Sequence, residues 1–220
     1  MFAVIFEVQP KPDRRDDYLG LARLLRPEIE KIDGFLDNER FTSERTAGRL
    51  LSLSTWRDEK SVIRWRTLGI HHQVQATGRR EIFSGYHLRV GEIIADTHPP
   101  AGHSLRQDRL DATEIGAAKF CTIIEAWPLP GQTGESKLAQ PATGHGGPVD
   151  RDLFASITTQ GKRLLLLSWR DEAAAGWTPE CRAAGAWRHR QVRIIRDYGM
   201  FDRREAPQWH APVPPADQAG

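Results

Sequence analysis

Three observations predict an α+β fold built from two related halves. The segment Arg49-Leu-Leu-Ser-Leu-Ser-Thr-Trp-Arg-Asp-Glu59 returns as Arg163-Leu-Leu-Leu-Leu-Ser-Trp-Arg-Asp-Glu172. Around it, Val4-Ile-Phe-Glu7 matches Thr122-Ile-Ile-Glu125, and a second tryptophan follows at Trp65 and Trp177. Downstream, His87-Leu-Arg-Val-Gly-Glu-Ile-Ile94 lies over Arg190-Gln-Val-Arg-Ile-Ile-Arg-Asp197. Each match is short, but all fall in one order, which marks an internal repeat. Strand and helix periods in the first half alternate as βαββαβ, the ferredoxin-like order.

The elements of the first half follow in turn. Phe2 to Val8 is a strand of Val, Ile and Phe. Pro10 and Pro12 stop it, and Asp13 is placed to cap the helix that follows. From Asp16 to Ile32, Tyr18, Leu21, Leu24, Leu25, Ile29 and Ile32 recur at helical spacing, and Gly34 ends that helix. Phe35 to Glu44 and Arg49 to Trp56 are two strands turned by Thr46-Ala47-Gly48. Asp58 opens a second helix with Val62, Trp65 and Leu68 on one side. Gly69 breaks it before a further turn containing His71 and His72. Tyr86 to Ile94 is the last strand.

The second half keeps the strands and changes the helices. Phe120 to Ala126, Leu153 to Thr159, Arg163 to Trp169 and Gln191 to Arg196 are its strands. A Gly/Pro-rich stretch from Pro128 to Pro148 has no apolar period and reads as a mobile loop in place of the first helix. Glu172 to Arg188 supplies the second helix, interrupted at Pro179. The expected organisation is a first domain at 1–96, a linker at 97–116, a second and degenerate domain at 117–205, and an irregular tail at 206–220. A four-stranded sheet covered by helices on one face leaves its other face bare. Two such sheets facing each other cover both, giving an intramolecular dimeric α/β-barrel, a pseudo-dimer within one chain. The apolar runs Leu50 to Leu53 and Leu164 to Leu167 fit strands buried on both faces.

Composition excludes several classes. At 39% hydrophobic and 27% charged residues, the chain has the make-up of a globular protein rather than a disordered one. No apolar run approaches the roughly 18 residues of a membrane span. Met1 to Val8 lacks a basic leader region and runs on into a charged helix pattern, so a cytoplasmic protein is expected. Cys121 and Cys181 read as two reduced thiols. A net charge of +2 does not point to nucleic acid. Arginines cluster late, at Arg188, Arg190, Arg193, Arg196, Arg203 and Arg204, interleaved with Asp197, Asp202 and Glu205. They read either as a solvated, salt-bridged strand and tail or as a site for an anionic ligand. No phosphate loop, zinc motif or dinucleotide fingerprint is present.

Phe2-Ala-Val-Ile-Phe-Glu-Val8, Leu53-Ser-Thr-Trp-Arg-Asp-Glu59, His72-Gln-Val-Gln-Ala-Thr-Gly-Arg79 and Tyr86-His-Leu-Arg-Val90 resemble the antibiotic biosynthesis monooxygenase domain family. Leu165 to Glu172 and His189 to Arg203 resemble it more patchily. The resemblance implies the dimeric α/β-barrel and one of several activities. Some members oxygenate polycyclic aromatic substrates without metal or flavin, some bind and degrade heme, and others have no assigned role. Heme-degrading members carry an Asn in the first strand, and this strand has none.

His72, Trp65 and Arg89 are the candidate catalytic residues. A His seven residues after a Trp shares its helix face if the helix continues, and imidazole serves as a base near neutral pH or as an iron ligand. His72 is thus base or heme ligand, Trp65 a cavity wall and Arg89 an anion partner. Glu7, Tyr86 and Trp56 are the substrate-binding candidates, and Tyr198 and Trp187 are further pocket-lining aromatics. Glu7 and Glu125 stand at matching strand positions, as bases, as partners of arginine, or as solvent-facing edge residues. Trp56 and Trp169 also mark the strand-to-helix corners. No cofactor is expected, with heme as the alternative. The expected partner is a small hydrophobic or aromatic, quinol-like ligand, without nucleic acid or membrane, in a pseudo-dimer that can assemble further. Ala184 follows Trp177 by seven residues where the first half has His72, so one working site per chain is expected. A non-catalytic ligand-binding module is the reading from another class.

Overall fold

The computed structural model describes residues 1–128, 147–175, 187–211 and 213. The first half runs β1 (Phe2–Pro10), α1 (Arg15–Glu30), β2 (Phe35–Ser43), β3 (Leu50–Trp56), α2 (Glu59–Thr67), α3 (Gly69–Thr77), a π-helical turn (Gly78–Ile82) and β4 (Phe83–Asp96). The second runs β5 (Phe120–Ala126), β6 (Asp150–Ser156), β7 (Arg163–Trp169), α4 (Glu172–Ala175) and β8 (Trp187–Gly199).

All eight strands close into one antiparallel barrel in the order β1-β3-β2-β6-β7-β5-β8-β4. Each half contributes its strands in the same sequence: second, third, first, fourth. The halves join at two seams. Phe41 to Ser43 of β2 pairs with Phe154 to Ser156 of β6, and β4 pairs with β8 from His87↔Gly199 to Asp96↔Arg190. The two sheets face each other across one shared interior, as expected, and their edges also hydrogen-bond to each other at the two seams, which closes the barrel.

Side chains alternate across the barrel wall. Ala3, Ile5, Leu51, Leu53, Cys121, Ile123, Leu164, Leu166, Val192 and Ile194 fill the interior. Each large aliphatic among them contributes about 1.5–3 kcal/mol by leaving water. Val4, Phe6, Leu88 and Val90 point outward, beneath α1, α2 and α3.

Several local expectations need correction. Asp13 does not cap α1: it sits at φ 62°, and Arg14 occupies the cap without a side-chain bond. Asp16 and Asp17 in the first turn instead oppose the positive end of the helix dipole. Asp58 does cap α2, accepting from the Ser61 amide at 2.8 Å. The single turn expected after Gly69 is a nine-residue helix. Trp187 and Arg188 are not helical. They open β8, where Trp187 pairs with Ala126 and Arg188 with Glu125, because the period-two alternation of that strand begins there. The expected loop, Cys181, and the residues matching the first-half site in the second half fall largely in 129–146 and 176–186, outside the described residues. No helix among the described residues is long and apolar enough to cross a membrane.

Candidate functional site

The helices do not seal the sheet they cover. Between α1, α2, α3 and the outer face of the first-half sheet lies a cavity of about 190 Å³. A closed space of about 150 Å³ takes a benzene, so this one suits a single ring with a short chain. Val4, Phe6, Leu88 and Val90 form an apolar floor. Asn38 and Arg40 of β2 and Ser52 and Ser54 of β3 continue it with polar groups. Asn38 Nδ2 donates to Ser52 Oγ at 2.9 Å and to the Leu53 carbonyl at 3.0 Å, which fixes this polar strip.

Leu68 is extended (ψ 128°) between α2 and α3, so the helix axis breaks there. The break brings His71, not His72, onto Trp65. The two rings stack with centroids 4.0 Å apart and planes 18° from parallel. His71 Nδ1–H donates to the Trp65 carbonyl at 3.0 Å, the only sense in which a carbonyl can take part. Nε2 is therefore the basic atom of the ring. Burial pushes the imidazole down to about 4, so it is neutral at pH 7.

The π-helical turn places Arg79, which is buried. Tyr86 Oη accepts from Arg79 Nη1 at 2.6 Å and from Arg203 Nη1 at 2.7 Å. With both lone pairs engaged, the Tyr86 proton is directed elsewhere. The C-terminal tail crosses one side of the cavity. Arg203 Nη2 donates to the Gln208 carbonyl at 2.8 Å, and Gln208 Nε2 donates to the Arg66 carbonyl at 2.7 Å.

The structure brings Trp65 and Tyr86 together in this cavity and leaves the other candidates elsewhere. His72 is exposed, and its ring stacks on His210, a tail residue that lines the cavity (centroids 4.9 Å). His210 is held by this contact, and burial lowers its pKa to about 4. Arg89 and Glu7 lie on the opposite face of the sheet, inside the barrel. They are 2% and 5% exposed and paired with each other, so neither can touch a ligand in the cavity. Each is one residue out of phase with a floor residue, Leu88 or Phe6, and a one-residue step reverses the face. Glu7 and Glu125 are therefore not solvent-facing edge residues. Trp56 is fully buried behind the cavity, its Nε1 donating to Ser54 Oγ at 2.9 Å. Tyr198 lines the cavity, whereas Trp187 packs in the second half.

The residues present do not fit a heme held by His72. That ring lies outside the cavity, stacked against His210. Sequence reasoning missed His71, Arg79 and the arginines Arg40 and Arg66. The alternation Leu51-Ser52-Leu53-Ser54 was the available signal for a cavity on that face.

The family model described as antibiotic biosynthesis monooxygenase matches residues 1–77. A curated relative, "Jasmonate monooxygenase ABM" of Pyricularia oryzae, is 37% identical over 220 residues, covering 97% of this chain and all of its own length. Among solved structures, an anthrone oxidase-like protein is 11% identical with a TM-score of 0.36, over 94% of this chain and 96% of that one. A conserved protein from Methanosarcina mazei Go1 is 22% identical with a TM-score of 0.32, over 34% of this chain and 73% of that one. On the match to its full-length relative, the chain belongs to the antibiotic biosynthesis monooxygenase family.

Proposed function

We propose that the first-half cavity is a monooxygenase site for a small apolar substrate, with His71 as the base. The stack of His71 on Trp65 carries this reading, because it holds a neutral imidazole in one tautomer at an apolar cavity. A substrate with an acidic C–H, quinol-like in its electronics, gives its proton to Nε2, and the resulting carbanion reduces oxygen. The overall change R₂CH₂ + O₂ → R₂C=O + H₂O closes without an outside reductant, so no flavin or nicotinamide is required. Tyr86, braced by Arg79 and Arg203, supplies a hydrogen bond to the developing oxyanion. The cavity favours one ring, or two at most, over the polycyclic substrates that the family resemblance implied. The relative's name adds jasmonate to the compounds to be tried.

Oxygen uptake with a naphthoquinol, and separately with jasmonate, tests the reading. His71→Ala should slow turnover at least about 100-fold, the lower end for general base catalysis. A His71→Ala enzyme that keeps its rate removes His71 from the mechanism.

A further inference from the structure

Six arginines line the cavity: Arg26, Arg40, Arg66, Arg79, Arg196 and Arg203. Three have partners. Arg26 pairs with Glu30, and Arg79 and Arg203 donate to Tyr86 and to backbone carbonyls. Arg40, Arg66 and Arg196 form no side-chain hydrogen bond or ion pair among the described residues. Other arginines without such a partner, Arg23, Arg80, Arg106, Arg151 and Arg170, are all exposed to water. These three are not, and Nε of Arg40 and of Arg66 is buried with no acceptor.

A guanidinium nitrogen buried without an acceptor is costly; in Arg40 and Arg66 that nitrogen is Nε, and the three side chains as a whole are half-buried. Burial is the main cause that lowers the Arg66 pKa; the Arg196 cation adds to it, against the opposite pull of Tyr198 and Glu59. The carboxylate lining the cavity, Glu59, is already engaged by Arg109 at 2.6 Å. The arginines without partners leave the cavity with an excess of positive charge.

We infer that the substrate is an anion: Arg66 and Arg196 hold the carboxylate of a small apolar monocarboxylic acid, whose hydrocarbon lies on Val4, Phe6 and Leu88. Arg40 adds positive potential from the β2 side. Guanidinium matches a carboxylate in a planar, two-bond fork. The volume limits the acid to about one ring with a short chain. This inference rests on the cavity being the substrate site, and binding can be measured without turnover.

Calorimetric titration of the full chain with 3-phenylpropionate, and with 3-phenylpropanol as its neutral counterpart, tests it at neutral pH and low salt. The acid should bind at least about tenfold tighter than the alcohol, in line with a charge-assisted pair. Arg66→Gln and Arg196→Gln should each weaken the acid at least about tenfold and leave the alcohol unchanged. Thermal melts check folding, and Arg66→Lys, which keeps the charge but loses the fork, replaces any variant that does not fold and should fall between the two. Equal affinity for acid and alcohol, absence of acid binding, or variants that weaken both ligands alike would overturn the inference. Acid binding without oxygen uptake would instead sink the monooxygenase reading and leave the anion site standing.

Discussion

Arg89 and Arg190 reach across the barrel in opposite directions. Arg89 of β4 donates to Ser168 of β7 at 2.7 Å, and Arg190 of β8 donates to Thr55 of β3 at 3.1 Å. Each also pairs with a glutamate on the adjoining strand, Glu7 or Glu125. Ser168 and Thr55 directly precede the corner tryptophans Trp169 and Trp56. The same buried network is thus built twice, each half supplying the hydroxyl that completes the other's.

Breaking one copy should cost stability rather than activity. Glu7→Gln leaves the Arg89 cation buried and uncompensated, an expected loss of about 3–5 kcal/mol by urea unfolding. Glu7→Leu with Arg89→Met should recover most of it, because an apolar pair of similar size removes the charge problem. Affinity for a cavity ligand should not change in the folded double variant. A weakened ligand would return Arg89 to the site.

The position of the base sets the pH profile. With His71 near 4, its Nε2 is free throughout the neutral range and becomes protonated only near the acid end. The acid limb of kcat/KM, which reports the free enzyme, should therefore fall near 4 rather than near the 6.5 of an ordinary histidine. His72→Ala should leave both rate and limb in place. An acid limb near 6.5 would mean that another group is the base.

Hemin offers a separate check. His72 lies outside the cavity, stacked on His210, so titration should give no saturable Soret shift that depends on it. A saturable shift abolished by His72→Ala would require the tail and α3 to rearrange.

Acid should also loosen the fold. His71, His189 and His210 are each lowered from 6.5 to about 4, in every case mainly by burial. Between those values the unfolded chain binds more protons than the folded one, so unfolding gains as pH falls. Their contribution is complete above about 6.5 and is lost on the way down to about 4. The combined effect is on the order of a few kcal/mol. Melting temperatures across this window measure it, and a flat profile from pH 7 to 4 would contradict the burial of these rings.

Gly34 is the tightest turn in the first half. Its φ is 88°, and an added Cβ would lie 2.1 Å from Ser61 Oγ at the start of α2. Gly34→Ala should cost about 2 kcal/mol or more, from the left-handed backbone and the overlap together. Adding Ser61→Ala should relieve only part of the overlap, because Ser61 Cβ stays 2.9 Å from the added atom. Differential melting of the two variants measures that part.

Most of the barrel was legible because its rules are local. Trp-Arg-Asp-Glu marks a strand end and a helix cap, and Asp58 caps as that pattern requires. Leu50 to Leu53 and Leu164 to Leu167 announce strands whose apolar residues are buried on either side. The site was less legible, because it depends on phase. One extended residue, Leu68, exchanges His72 for His71, and one step along β4 exchanges Leu88 for Arg89. Arg203 and His210 reach the cavity only through the path of the tail, which no periodicity encodes.

Closing the barrel within a single polypeptide has a thermodynamic consequence. A two-chain version would come apart on dilution, and its melting point would follow protein concentration by mass action. Here β2 meets β6 and β4 meets β8 on the same molecule, so the seams remain closed at any dilution. The two walls are also encoded separately. A substitution in one is not copied into the other, so one wall can carry the chemistry while the other is shaped only to hold it.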